Sequence, residues 1–230
     1  MTPLDIALNN PVWHSLTGSH AHLGNAGTLA ALYHCDVTPF AGLAEPSAEA
    51  FVQLAKMTTP GQVVALPSAQ AVHPSSEWQI IHQTTVEQFT CSQLVTPALE
   101  NRAQWIALGA ADTDQMLALA AQTQPGPFGI RTRECGHYIG VRAPELVAMA
   151  GERFQLQGAV EISGVCTAAS HRGKGLGGRM VVALAERMLA RDTVPFLHVV
   201  TTNTSAIRLY EALGFSHRTT LQLTTLKRNA

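Results

Sequence analysis

The stretch Val165–Met188, "VCTAASHRGKGLGGRMVVALAERM", limits the folds open to this chain more than any other. A β-branched apolar run stops, a basic glycine-rich turn follows, and a helical pattern begins. Met180, Leu184 and Met188 repeat every four residues beside Val181 and Leu189. That stripe predicts an amphipathic helix over residues 177–191 with one face on a sheet. Glycines between a strand and a helix let the backbone approach a ligand closely, and phosphate is a frequent one.

Three phosphate-binding arrangements compete for the turn. Gly173, Gly175 and Gly178 spell G-x-G-x-x-G after a strand and before a helix, the dinucleotide fingerprint in its required context. That fingerprint also needs an acidic residue at the end of the next strand, and here the strand ends "HVVTTN". The short remainder of the chain leaves no room for the further crossovers of a doubly wound sheet. A P-loop needs G-x-x-x-x-G-K-[ST]. Gly175 occupies the hydroxyl position and Ala168 stands where the first glycine belongs, so no magnesium ligand is supplied. The third arrangement is R-G-x-G-x-G, Arg172 through Gly177. Small residues allow successive backbone N–H groups to converge on one anion, and the helix that follows adds its positive end. Arg172 and Lys174 raise the local potential without a metal. This suits a diphosphate ester that is held and never cleaved, such as coenzyme A.

Around the turn, the second half of the chain is well punctuated. "AQWIALGA" reads as a strand, and Asp112 supplies an N-cap for "TDQMLALAAQ". "TQPGPFGIRT" (123–132), with two prolines and two glycines, is a loop. "GHYIGVR" and "ELVAMAGERF" read as an antiparallel pair turned at "APE". "PFLHVV" (195–200) is a buried-type strand, and "NTSAIRLYEALGF" a helix capped by Asn203 or Thr204 with Gly214 as its C′ residue. "FSHRTTLQLTTL" closes as a strand. The expected order is β–α–β–β–β–α–β–α–β, an α+β (mixed α/β) domain with a mixed sheet and one βαβ unit. The first hundred residues say less. "SAEAFVQLAKM" (47–57) reads as a helix, "VVAL" (63–66) as a strand, and "EWQIIHQTTVEQF" as a strand followed by a short helix.

Composition excludes several classes. The chain has 230 residues, is 46% hydrophobic and 13% charged, and carries a net charge of −1, which fits a globular protein and gives no electrostatic footprint for nucleic acid. No apolar run is long enough to cross a bilayer, and the N-terminus lacks the basic start and apolar core of a signal peptide, so a cytoplasmic protein is expected. Cysteines 35, 91, 135 and 166 have no C-x-x-C spacing and are expected to be reduced thiols. "HAH" at His20–His22 matches no trusted ligand pattern, and no metal is expected.

"EISGVCT", "RGKGLG" and "NTSAIRLYEALGF", in this order and spacing, resemble the GNAT superfamily of acyl-CoA-dependent N-acyltransferases. The match is specific from Val160 to Phe215 and extends to about Ala103. "PGPFGIRT" and "LVAMAGER" look like an uncharacterised bacterial branch with an extra N-terminal segment. The resemblance implies a GNAT domain over 101–230, with splayed central strands and flanking helices. The N-terminal segment, 1–100, is then a cover for the acceptor pocket, a dimer contact or a degenerate acyltransferase-like half. The last is the expectation carried forward, because "GQVVAL" and "EWQII" could be strands of a similar sheet.

The resemblance also implies acetyl-CoA as co-substrate, with no metal, and direct attack of an amine on the thioester. A lysine-like amine of pKa about 10.4 costs roughly 4.6 kcal/mol to deprotonate at pH 7, whereas a thiol of pKa about 8.5 leaves more easily. Glu161 is the candidate base, weighed against a solvent-facing strand glutamate. In "AVEISGVC" apolar residues alternate at Val160 and Ile162 and then reappear at Val165, a one-residue slip at Ser163–Gly164 that a β-bulge would produce. In the family such a bulge admits the pantetheine arm. The N–H near Val165 would polarise the thioester carbonyl while Cys166 and Thr167 pair with the arm. Arg172, Gly173, Lys174, Gly175, Leu176, Gly177 and Gly178 would hold the diphosphate. Asn203 would bond the arm or merely cap its helix. Tyr210 is the candidate acid, with core packing as the bland alternative. Nothing beside Cys166 lowers its pKa, so a covalent route is disfavoured. Phe128, Arg131 and Glu134 flank the loop where the family builds much of its acceptor pocket. The expected acceptor is a small amine or amino-acid-like molecule. A protein N-terminus or lysine, and a non-catalytic acyl-CoA sensor, are the alternatives, and either a monomer or a homodimer fits.

Overall fold

The computed structural model describes residues 1–95 and 105–230. In chain order the elements are α1 (Pro3–Asn9), α2 (Pro11–Leu16), β1 (Gly24–Ala26), β2 (Ala30–Tyr33), β3 (Ala41–Leu43), α3 (Ala48–Lys56), β4 (Val63–Ser68) and β5 (Trp78–Thr90). After these come β6 (Ile106–Leu108), α4 (Thr113–Thr123), β7 (Tyr138–Arg142), β8 (Leu146–Leu156), β9 (Ala159–Thr167), α5 (Leu176–Leu189), β10 (Val194–Val200), α6 (Thr204–Ala212) and β11 (Ser216–Arg228). From β6 onward the order is the one the sequence predicts. The start of the first expected strand, at Ala103 and Gln104, lies outside the described residues.

Eight strands form one sheet in the order β4-β11-β5-β10-β9-β8-β7-β6, and β1-β2-β3 form a second, small sheet. Among the described strands only β9 and β10 pair in parallel, joined by α5 as the crossover of the βαβ unit. The expectation of a separate N-terminal half with its own similar sheet is corrected here. β5 lies between β10 and β11, and β4 pairs with the outer side of β11, so both strands belong to the same sheet as the C-terminal elements. The expected division near residue 100 falls outside the described residues, and strands from both sides of it share the sheet.

β5 also corrects the expected strand-plus-helix. Its thirteen residues form a single strand, paired along nearly its whole length with β11 and over Val86–Thr90 with β10. Ile80, Ile81, Thr84, Thr85 and Val86 are β-branched, and two neighbouring strands supply the ladder partners that decide such a sequence.

Alternation along β9 and β10 sorts the two faces. Val160, Ile162, Leu197 and Val199 pack with Met180, Val181, Leu184 and Met188 of α5. Ala159 and Phe196 face the other way, onto Leu8, Val12, Leu16, Tyr33 and Phe40 of the N-terminal segment. Each such apolar side chain withdrawn from water contributes roughly 1.5–3 kcal/mol. Helix α4 covers that second face further along, placing Met116 and Leu119 on Tyr138, Met149 and Cys166. Asp112 precedes α4 but does not cap it with its side chain: the carboxylate accepts from the Gly109 N–H at 2.7 Å and pairs with Arg142.

The N-terminal segment is also tied down by polar contacts. His20 is 2% exposed, its Nε2 donates to the Cys135 carbonyl at 2.9 Å, and its Nδ1 meets the Tyr33 hydroxyl at 2.8 Å and Ser15 Oγ at 3.1 Å. Burial pushes its pKa down to about 4, outweighing the Cys135 bond that opposes the shift. The folded value lies below the unfolded value of about 6.5, so the unfolded chain binds the extra proton first. The stability held by neutral His20 is therefore complete above about pH 6.5 and lost as pH falls to about 4, a decline of roughly 3 kcal/mol. Denaturant titrations across this window check it: His20→Gln should flatten the slope, and an unchanged slope would refute the assignment.

Candidate active site

The parallel pairing of β9 and β10 is short. Val194, Pro195 and Phe196 stand opposite Ala159, Val160 and Glu161, and beyond that point no further pairs form although both strands continue. On its other side, β9 carries one extra residue against β8: Met149 faces Cys166 and Gly151 faces Ser163. This bulge sits where the apolar alternation slips. Gly164 takes a left-handed φ of +63°, and Val165 returns to the α5 face. Gly164 and Val165 together stand against the single residue Ala150 of β8, neither in register with it, at the point where β10 has already diverged.

A cleft of about 290 Å³ opens in this gap, lined along β9 by Ile162, Ser163, Gly164 and Val165 and opposite by His198, Val199, Val200, Asn203 and Tyr210. Gln124, Pro125, Gly126 and Pro127 form a lip, and Phe40, Pro67, Arg153, Phe154 and Leu223 a far wall. A second cleft, about 520 Å³, lies by α1, β3 and β4 and touches the first only at Pro67. The glycine turn and the bulge do not reach it.

The glycine turn follows directly from the end of β9. Gly173 and Gly175 have φ of +77° and +72°, and Gly175 is the N-cap of α5. Neither glycine is forced by crowding. A Cβ on Gly173 would meet nothing within 4 Å, and one on Gly175 only the Arg179 guanidinium at 3.7 Å. The backbone conformation demands glycine there, while the space beside it is open to an anion. Arg172 Nε donates to the Thr167 carbonyl at 3.3 Å, which ties the turn to its strand. Leu176 packs on the α5 core. Gly177 lies against Val165, and Gly178 lets Leu209 of α6 approach, with an added Cβ 3.1 Å away. These last three residues thus have packing roles of their own.

Glu161 does not sit as a base must. It is completely buried, and both oxygens are engaged. Arg153 Nε donates to Oε2 and Arg153 Nη2 to Oε1, each at 2.7 Å, and His198 Nδ1 lies 2.7 Å from Oε1. The Phe154 N–H adds a longer bond to Oε2 at 3.4 Å. Burial alone would raise its pKa, but the charge and hydrogen bonds of Arg153, with the hydrogen bond of His198, outweigh burial and hold it at about 2. A carboxylate so acidic and enclosed is a poor proton acceptor for an amine. The geometry gives Glu161 a different task, orienting Arg153 and His198, which do line the cleft.

The network continues through the sheet. His198 Nε2 lies 2.9 Å from Gln88 Nε2, which also donates to the Leu8 carbonyl, while Gln88 Oε1 accepts from Arg218. These partners fix both the Gln88 amide and the His198 tautomer, with Nδ1–H toward Glu161 and the Nε2 lone pair toward Gln88. Arg153 itself lies over the rings of Phe40 and Phe154, 4.8 and 4.7 Å from their centroids.

Tyr210 lines the cleft from α6, and burial raises its phenol to about 12, so it is a neutral donor at physiological pH. Asn203 borders the cleft and caps α6 as well, its Oδ1 accepting from the Ala206 N–H at 3.2 Å. Cys166 is buried and its thiol is pushed up by burial, which is unfavourable for a nucleophile. None of the three expected acceptor-side residues is among the described residues that line the cleft. Phe128 stacks edge-on against Tyr138, and Arg131 pairs with Glu134 at 2.9 Å and Asp36 at 3.4 Å, stapling the loop to the N-terminal segment. The preceding residues, Gln124–Pro127, reach the cleft in their stead. Sequence reasoning missed Arg153, His198 and Phe40. Arg153 and His198 occupy β8 and β10 positions facing Glu161, and polar residues inside apolar strands were the available signal.

Residues 138–223 match the model of the FR47-like protein family. A protein from Novosphingobium aromaticivorans, described as an acetyltransferase from the GNAT family, is 35% identical with a TM-score of 0.88, over 97% of this chain and 99% of that one. The chain belongs to the GNAT family. It is thus an acyltransferase, with the mixed sheet and flanking helices of that family. Two GNAT structures share its fold at low identity. A GCN5-related N-acetyltransferase from Kribbella flavida has 18% identity and a TM-score of 0.61, over 95% of both chains. A GCN5-related N-acetyltransferase-like protein from Streptococcus suis has 13% identity and a TM-score of 0.57, over 95% of this chain and 92% of that one. No curated protein matches. No helix among the described residues is long and apolar enough to cross a membrane.

Proposed function

We propose that this GNAT protein transfers an acetyl group from acetyl-CoA to the primary amine of a small, amino-acid-like molecule, acting in the cytoplasm. The observation that carries the reading is the divergence of β10 from β9 opposite the Gly164–Val165 bulge, with the open glycine turn next along the chain. Backbone N–H groups of Arg172–Gly177 and the α5 N-terminus suit a diphosphate, with Arg172 and Lys174 adding charge. The gap suits an extended arm that pairs with β9 at Val165, Cys166 and Thr167. Asn203 borders the same gap.

The amine nitrogen attacks the thioester carbonyl carbon, the N–C bond forms, and the C–S bond breaks. The proton released by nitrogen balances the one gained by the thiol. The unpaired stretch of β9 at Gly164–Val165 offers main-chain N–H to the developing oxyanion. Tyr210, protonated at neutral pH, hydrogen-bonds the departing sulfur. No carboxylate lines the cleft among the described residues, so the amine's proton leaves to solvent, and Glu161 supports this chemistry only by holding Arg153 and His198.

Incubation with acetyl-CoA and a pool of primary amines, read by mass spectrometry, should yield N-acetylated products. Their absence with acetyl-CoA binding retained would support a sensor. Tyr210→Phe should lower kcat about 10²–10⁴-fold, the range of a lost proton donor, with KM for acetyl-CoA little changed. Unchanged kcat would remove Tyr210 from the mechanism.

A further inference from the structure

The cleft contains a cation with one hydrogen-bonding nitrogen to spare. Arg153 engages Glu161 through Nε and Nη2, while Nη1 makes no hydrogen bond among the described residues and is not one of their sealed-off polar atoms. The guanidinium cannot swing away to find another partner. It is locked by the two 2.7 Å bonds and by the rings of Phe40 and Phe154 beneath it. Phe40 and Phe154 flank it, and the cleft wall they belong to also holds Pro67 and Leu223. Arg153 is the only Lys, Arg, Asp or Glu among the described lining residues.

We infer that Arg153 selects the acceptor: an apolar or aromatic amine carrying a carboxylate or carbonyl oxygen close to its amino group, as in an apolar α-amino acid or its amide. The inference rests on the acyl-transfer reading and specifies its substrate. Three features carry it. Once a bound amine displaces water from beside Phe40 and Phe154, the guanidinium N–H is left unpaired unless that amine brings an acceptor atom. Because Glu161 balances the Arg153 charge, the group at the cleft acts as an oriented donor, which accepts a carbonyl oxygen as well as a carboxylate. Among the described lining residues no carboxylate is present to pair a second ammonium, so polyamines and other polycations are disfavoured. The N-terminal segment takes part directly, since Phe40 supplies one face of the guanidinium's seat and Pro67 part of the wall.

The test uses the whole protein with acetyl-CoA and four probes: phenylalanine, phenylalaninamide, phenethylamine and spermidine. Phenylalanine and its amide should each exceed phenethylamine in kcat/KM by at least about tenfold, because a site built to hydrogen-bond a group discriminates against the analogue lacking it, and spermidine should be the poorest. Equal or better turnover of phenethylamine or spermidine would overturn the inference. In Arg153→Lys, which keeps a cation beside Glu161 but loses the fork, the phenylalanine-to-phenethylamine ratio should collapse toward one. A general loss of packing would lower both rates and leave the ratio intact, and that result would also overturn it. Should no amine be acetylated, ligand-observed NMR still decides. Phenylalanine binding stronger than phenethylamine binding would uphold the pocket's selectivity while the acyl-transfer reading fails, and equal binding would end both.

Discussion

Glu161→Gln is expected to destabilise the folded protein by about 3–5 kcal/mol, because it leaves the buried Arg153 guanidinium without its anion. Gln retains shape and some hydrogen bonding, so the effect isolates charge. Replacing both partners by apolar residues, Arg153→Met with Glu161→Leu, should cost much less than the sum of the single changes. Equilibrium unfolding in urea measures Glu161→Gln, the double variant and its two single changes. A loss below about 1 kcal/mol for Glu161→Gln is the range of an exposed pair and would contradict the buried network. The acid limb carries the same sign. Glu161 is held at about 2, below its ordinary value of 4.5, so its contribution is complete above about pH 4.5 and disappears as pH falls toward 2. That window and the one assigned to His20 overlap only between about pH 4 and 4.5, so most of each titration is read apart from the other.

Gly175→Val is expected to weaken acetyl-CoA binding by at least about tenfold. At φ +72° a non-glycine residue carries a penalty of roughly 1–2 kcal/mol, more for a β-branched one, and 1.4 kcal/mol already corresponds to a tenfold change in affinity. The added side chain also enters the open space proposed for the diphosphate. Gly175→Ala should lie between parent and Val. Calorimetric titration measures both, with circular dichroism to establish that the fold persists. Binding within about threefold of the parent would mean that the anion sits elsewhere.

Much of this site is legible in the sequence because local chemistry determines it. The slip from Ile162 to Val165 is a backbone event written into side-chain alternation, and the bulge sits there. Asn203 and Gly214 mark the ends of α6 through cap chemistry, and Gly214 has the left-handed φ of +91° expected at C′. What was not legible depends on long-range pairing. Nothing within "EWQIIHQTTVEQF" shows that β5 enters the sheet between β10 and β11. Glu161 looked like a base because its position on the bulged strand was readable, while its partners were not. Arg153 approaches from β8 and His198 from β10, eight and thirty-seven residues away, and together they turn an apparent base into a buried anchor. The partners of Arg131 and Glu134 are hidden in the same way. Asp36, nearly a hundred residues earlier, draws Arg131 into a staple and leaves the neighbouring Gln124–Pro127 to meet the cleft.

The most direct test is amine-dependent thiol release from acetyl-CoA, followed continuously and matched against the N-acetylated product. Direct transfer in the β9–β10 gap predicts one thiol per acetylated amine, no release without amine, and no acetyl group left on the protein. Thiol release without amine, accompanied by acetylation of the protein itself, would contradict it.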